Sequence, residues 1–197
     1  MNLIDMVRET LDFALNDPKV VLLSQLGKYG LGGMTTGLYD RHPDQVLTFP
    51  VCENLMNGTA FGLALAGHRP IVIHERMDFL AVGMDPLVNH IPIWPMRSPQ
   101  PLPLVIIAVV GKGHGQGPQH SKNLTSWFRG LQGWDVIEPD SPARACGELT
   151  GAINGNRPTL CTLHREFFAA TDRYVLPATF GVRICGASDR HEKAFYP

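Results

Sequence analysis

The sequence predicts an α/β protein: a parallel sheet sandwiched by helices. Short apolar runs of strand length recur along the chain, at Val20–Leu23, Val46–Phe49, Pro70–Ile73, Leu104–Val110, Asp135–Ile137 and Pro158–Leu163. Segments of helical spacing stand between them, the order that βαβ units produce. Several runs are continuously apolar, as strands covered on both faces must be. Twenty glycines and sixteen prolines mark frequent turns.

A chain of 197 residues makes one ordinary domain with a full core. Its net charge of −1 and the lack of any Lys/Arg run argue against a nucleic-acid partner. No apolar run approaches the length that spans a bilayer, so no membrane role is expected. Leu3–Leu15 carries Asp5, Arg8, Glu9 and Asp12 and reads as an amphipathic helix, not a secretory signal. Cys52, Cys146, Cys161 and Cys185 are scattered without a CxxC pair. They read as reduced, mostly buried thiols of a cytoplasmic protein, with no zinc site.

In chain order, Leu3, Met6, Val7, Leu11 and Leu15 keep helical spacing until Asn16-Asp17-Pro18. The Gly-rich loop Gly27–Gly33 leads into Met34–Tyr39; it lacks both the Lys-Ser/Thr of a phosphate loop and GxGxxG spacing. Glu53 opens a helix to Ala66 whose small residues, Gly58, Gly62 and Ala64 among them, leave one face nearly bare. Asp78–Ile91 reads as helical, disturbed by Gly83 and Pro86. Trp94–Pro103 is a Pro-rich connection, and Gly111–His120 a loop of glycines and histidines. Helices are expected at Asn123–Leu131 and at Pro142–Ile153, the latter capped by Ser141. Beyond Phe168 the periodicity is lost, so residues 1–170 read as the domain and 171–197 as a C-terminal tail.

In an open parallel sheet ligands collect at the carboxyl ends of the strands. Three loops are expected there: the turn before Glu53, the stretch His74–Phe79, and Gly111–His120. Glu53 stands where a carboxyl is poised for proton transfer, or it complements the helix dipole from the first turn. His120 follows Gly117-Pro118-Gln119 and presents an imidazole to a ligand or to solvent; His114, between two glycines, is a weaker candidate. His74 and Glu75 are adjacent on a strand and point to opposite faces, which discounts a shared metal. Phe79 is an aromatic platform or core.

The joint order of these features resembles the thiamin-diphosphate-dependent enzymes. The likeness is to the pyrimidine-binding (Pyr) domain in the β subunit of 2-oxo acid dehydrogenases and in transketolases. The matching stretches are KYGLGGMTTGLYDRHPDQVLTFPVCENLMNGTAFGLALAGHRPIV, MDFLAVGMDPLVNH, GQGPQHS and SWFRGLQGWDVIEPDSPARA, spread between Lys28 and Phe168. The resemblance implies a Pyr-type thiamin-diphosphate-binding fold. Glu53 takes the place of the glutamate that hydrogen-bonds ring nitrogen N1′ of the cofactor's aminopyrimidine, and Phe79 that of an aromatic stacked on the ring. His120 matches the active-site histidine near the substrate's carbonyl or carboxylate, with His114 and Arg76 as further substrate candidates. The role asked of Glu53 needs a dry, apolar pocket, for which Phe49, Val51 and Leu55 are the candidate walls.

The family's other half-site binds the diphosphate through Mg²⁺, using a Gly-Asp-Gly and a later Asn. No Gly-Asp-Gly occurs here, so the resemblance implies that the metal is held by a separate diphosphate-binding (PP) subunit, in an α2β2 heterotetramer. The Gly58–Gly62 surface then packs on that partner or on a symmetry mate. The family's β subunits carry a further C-terminal domain, and no counterpart of it is read in residues 171–197. The implied reaction cleaves a bond next to a carbonyl. Decarboxylation of a 2-oxo acid with transfer to an acceptor is expected first. Transketolase-type ketol transfer and a non-catalytic assembly or regulatory subunit are the alternatives.

Overall fold

All six apolar runs form strands: β1 (Val20–Ser24), β2 (Val46–Thr48), β3 (Arg69–His74), β4 (Val105–Val110), β5 (Asp135–Ile137) and β6 (Thr159–His164). The computed structural model describes residues 1–30, 32–111, 115–169 and 171, with the backbone of Tyr174–Val175 and Ile184–Cys185. The strands join one parallel sheet in the order β2-β1-β3-β4-β6-β5. β4, the most apolar segment of the chain, lies inside it between β3 and β6 and is buried throughout.

Helices α1 (Leu3–Ala14), α3 (Glu53–Leu65) and α6 (Pro142–Asn154) cover the sheet, with short α2 (Leu38–Arg41), α4 (Trp94–Arg97) and α5 (Thr125–Arg129) between them. Successive strand residues alternate between two cores, as the pleat dictates. Leu22, Ile71, Ile73 and Ile107 pack with Val7 and Leu11 of α1 and Leu149 and Ile153 of α6. Leu23, Val72, Ile106 and Leu160 pack with Met56, Ala60 and Ala64 of α3 and Phe128 of α5. Ser141 caps α6 as expected, its side chain accepting from Arg144 N.

The expected helix over Asp78–Ile91 is replaced by a 3₁₀ turn, Met77–Gly83, and a π-helical turn, Pro86–His90. Pro86 has no N–H to give and crowds the carbonyl four residues back, so a continuous α-helix cannot pass it. The Pro-rich connection contains α4, and the helix expected over Asn123–Leu131 shortens to α5. Within the expected tail, β7 (Tyr174–Val175) pairs antiparallel with β8 (Ile184–Cys185); most of the rest lies outside the described residues. Of the described cysteines, Cys146 and Cys161 are buried thiols and Cys52 an exposed one. Among the described residues no helix is long and apolar enough to cross a membrane.

From β1 the chain runs to β2 at the sheet edge, then returns past β1 to form β3. Such a reversal leaves neighbouring loops diverging and opens a crevice at the carboxyl edge. The three expected loops all leave strands at that edge.

Candidate active site

Glu53 is the first residue of α3, reached by the short connection from the end of β2. Small residues on the inner side of α3 let the helix lie close to the sheet, and Glu53 is only 6% exposed. Its carboxylate has no hydrogen bond or ion pair among the described residues. The carboxylate therefore stays available to accept from a donor that enters the crevice.

Of the three expected walls, Phe49 is half-buried and packs with the α3-side core. Val51 and Leu55 do not enclose Glu53 within this chain: they are 80% and 52% exposed, and Val82 is 64% exposed. The reason is helical geometry. Met56, Asn57, Ala60 and Ala64 take the inward face of α3, which turns Leu55 outward.

Phe79 sits in the 3₁₀ turn after β3, and His120 closes a second 3₁₀ turn, Pro118–His120, in the loop after β4. Their rings meet edge-on, centroids 5.6 Å apart. Two contacts brace the loops. Lys122 N donates to both carboxylate oxygens of buried Asp78, at 3.2 and 3.3 Å, and Leu124 N to Met77 Sδ. His120 Nδ1 is buried and without a hydrogen-bond partner among the described residues.

Arg76 extends along the same loop. Its Nε and Nη2 donate to Gln116 Oε1, at 3.2 and 2.6 Å, and Nη1 to the Glu75 carbonyl. Beyond it a cavity of about 310 Å³ opens between the ends of β4 and β6, lined by Val110, Ser121, Asn123, His164, Arg165 and Glu166. Burial and the nearby Arg76 lower the pKa of Arg165. Burial raises the pKa of Glu138, but hydrogen bonds from His164, Arg129 and Asn123 outweigh it and hold the carboxyl below its ordinary value. The site's edge therefore carries two guanidinium groups held near each other.

His74 and Glu75 do diverge. His74 is buried against α3, its Nε2 2.9 Å from Asn57 Oδ1, while Glu75 faces Gly32 in the loop after β1. His114 lies outside the described residues. The residues that reading the sequence missed are Asn57, Asp78 and Arg165. Asp78 could have been found as a charge directly before Phe79 in an apolar turn; Asn57 and Arg165 carry no such signal.

Glu53 and the Phe79–His120 pair thus all lie at the carboxyl edge of a parallel α/β domain, the class whose ligands bind at that edge. The sequence profile for the pyrimidine binding domain of transketolase matches residues 2–169, and the chain belongs to that family. It is 31% identical over 177 residues to the acetoin:2,6-dichlorophenolindophenol oxidoreductase subunit beta of Cupriavidus necator, covering 82% of this chain and 52% of that protein. It is 31% identical over 184 residues to the pyruvate dehydrogenase E1 component subunit beta of Gracilaria tenuistipitata var. liui, covering 88% and 57%. Related E1 beta subunits of Arabidopsis thaliana are named as chloroplastic. The fold matches a split-gene transketolase solved as an inactive β4 tetramer, with a TM-score of 0.64 at 22% identity, covering 81% of this chain and 51% of that one. The chain spans about half the length of the curated relatives it matches.

The family is thiamin-diphosphate-dependent, and the residues present fit the cofactor's aminopyrimidine. Glu53 is a buried residue whose carboxylate has no partner among the described residues, and Phe79 is an aromatic side chain in the turn packed against α3. The fit extends to that ring alone. Among the described residues no group of three His, Cys, Asp or Glu could hold a metal ion.

Proposed function

We propose that this chain is the pyrimidine-binding subunit of a split thiamin-diphosphate enzyme that decarboxylates a 2-oxo acid and passes the acyl unit to an acceptor. The observation that carries this reading is Glu53, a buried residue whose carboxylate has no partner among the described residues, at the same carboxyl edge of the sheet as the Phe79–His120 contact. The cofactor, when bound, would supply the nucleophilic carbon and the electron sink that bond cleavage next to a carbonyl requires. Glu53 holds a proton at ring nitrogen N1′ and so sets the ring's tautomer. Phe79 supports the ring face. His120, with a buried Nδ1 free to hold a proton, stabilises charge on the substrate oxygen or moves a proton to it.

Mg²⁺ and the diphosphate fall to a PP subunit, in an α2β2 heterotetramer. Exposed Val51, Leu55 and Val82 surround the Glu53 end of α3, and Gly62 leaves open space beside the helix. Burial of this apolar rim by the partner completes the dry pocket that the chain alone leaves open. The proposed compartment is the cytoplasm.

Arg76 and Arg165 favour a donor that carries a carboxylate. A second reading, an uncharged hydroxyketone donor, is favoured by the acetoin relative.

A tagged copy expressed in its native host tests the proposal. A stoichiometric partner carrying Gly-Asp-Gly is expected, and the captured complex should release CO₂ from a 2-oxo acid. Glu53→Gln should cost at least ~100-fold in turnover with the complex intact. Consumption of acetoin or a ketose phosphate alone would move the chain to the other donor class. Unchanged turnover in Glu53→Gln would remove the residue from the mechanism.

A further inference from the structure

Asn57 and His74 meet inside the largely apolar α3-side core. Asn57 is wholly buried and His74 is 2% exposed. His74 Nε2 stands 2.9 Å from Asn57 Oδ1, and Asn57 Nδ2 donates 3.3 Å to the carbonyl of Gly83. The second bond fixes the amide's orientation, since its oxygen cannot face another carbonyl. His74 therefore donates from Nε2, as the neutral tautomer that burial enforces by pushing its pKa down to about 3.

This chain of bonds joins three elements: the end of β3, the start of the second turn of α3, and the last residue of the 3₁₀ turn that carries Phe79. Gly83 is the point of closest approach. A Cβ there would lie 3.0 Å from both C and O of Glu53 and 2.5 Å from Asn57 Nδ2. Asn57 follows Glu53 by four residues and stands one turn further along the same face.

We propose that Asn57 and His74 are a positioning pair that holds the first turn of α3, with Glu53, at a fixed distance from the turn that carries Phe79. The proposal rests on the roles given to Glu53 and Phe79 above. Stability does not call for a polar pair here, because replacing both partners of a buried hydrogen bond by apolar groups of similar shape is close to neutral. What apolar packing does not supply is direction. Two hydrogen bonds in series set both the spacing and the rotation of α3 against the 3₁₀ turn, the precision a cofactor-contacting acid and ring require.

The test uses the complex captured through a tag on this chain. Binding of thiamin diphosphate with Mg²⁺ is measured by calorimetry, amide exchange over Met77–Gly83 by mass, and melting in parallel. The double variant Asn57→Ala with His74→Leu should assemble and melt close to wild type. It should exchange at least ~10-fold faster over Met77–Gly83 and bind the cofactor at least ~10-fold more weakly. His74→Gln, which still offers an N–H to Asn57, should recover most of both losses. Gly83→Ala approaches the same joint from the other side and should weaken cofactor binding likewise, which keeps the test decisive should the double variant misfold. Wild-type exchange and affinity in the double variant would overturn the pair, as would losses that only track a general fall in melting temperature. If the wild-type complex itself binds no thiamin diphosphate, the proposed function fails, and the exchange data alone decide whether the pair fixes the joint.

Discussion

The imidazole of His120 stands edge-on to the ring of Phe79, centroids 5.6 Å apart and planes at 85°. The two residues come from different loops, one after β4 and one after β3, whose parent strands are neighbours in the sheet. Asp78 ties the loops a second time through Lys122 N. The imidazole and the ring are therefore one unit, and a change in either should be felt by the other.

Phe79→Leu keeps the apolar volume and removes the ring. We expect at least a ~10-fold loss of kcat in the assembled complex, because His120 loses an edge contact worth about 0.5–1.5 kcal/mol and the cofactor loses the platform proposed for it. Melting should shift by only a few degrees. Steady-state kinetics beside a thermal melt check this, and retained kcat would return Phe79 to the ordinary core.

Arg165 borders the cavity between β4 and β6 and lies close enough to Arg76 to feel its charge. Arg165→Met preserves the stem and removes the guanidinium. With a 2-oxo acid donor, KM should rise about 10-fold or more, the worth of one charge-assisted hydrogen bond. With acetoin it should stay constant. Equal changes for both donors would place the arginine in the fold and not in selectivity.

Gly133 adopts φ +104°, and a Cβ there would run into the carbonyl of Pro92. Neighbouring Trp134 is buried, meets Phe128 edge-on and donates 2.9 Å to the Leu87 carbonyl. Gly133→Ala should therefore destabilise the chain by roughly 2–4 kcal/mol, from backbone strain and from disturbing the Trp134 anchor. Denaturant melts measure it directly. A loss under about 0.5 kcal/mol would mean that the turn relaxes freely.

The sheet was legible because each strand announces itself locally as an apolar run between turns, and α1, α3 and α6 because their spacing is regular. The Met77–His90 region was not, since Gly83 and Pro86 weaken a helix without saying which tighter or wider turn replaces it. At the candidate site, Glu53, Phe79 and His120 were singled out from the strand-end loops and from motif order, and the structure brings Phe79 and His120 into contact. Of the expected walls of Glu53, Val51 and Leu55 are apolar in sequence yet face outward, because Met56, Asn57, Ala60 and Ala64 take the inward face of α3. The pairing of Asn57 with His74 escaped notice because it is a contact across 17 residues.

Glu75 supplies a test of the carboxyl edge that needs no partner. Burial raises its pKa from the ordinary 4.5 to about 7, with Arg76 pulling the other way, and its Oε1 is buried without a hydrogen-bond partner among the described residues. Over that range the folded chain holds the proton more tightly than the unfolded chain does. Stability from this group is therefore full below about pH 4.5, falls as pH rises to about 7, and is flat above. Glu75→Gln keeps the shape and removes the titration. The variant should gain on the wild type steadily across that window and exceed it above pH 7 by up to about 3 kcal/mol. Melting curves of both chains from pH 4.5 to pH 8 read the difference, in which every other titrating group cancels. Parallel curves would mean that the Glu75 carboxyl titrates as an ordinary exposed acid, and the packing of Gly32 against it would then have to loosen in solution.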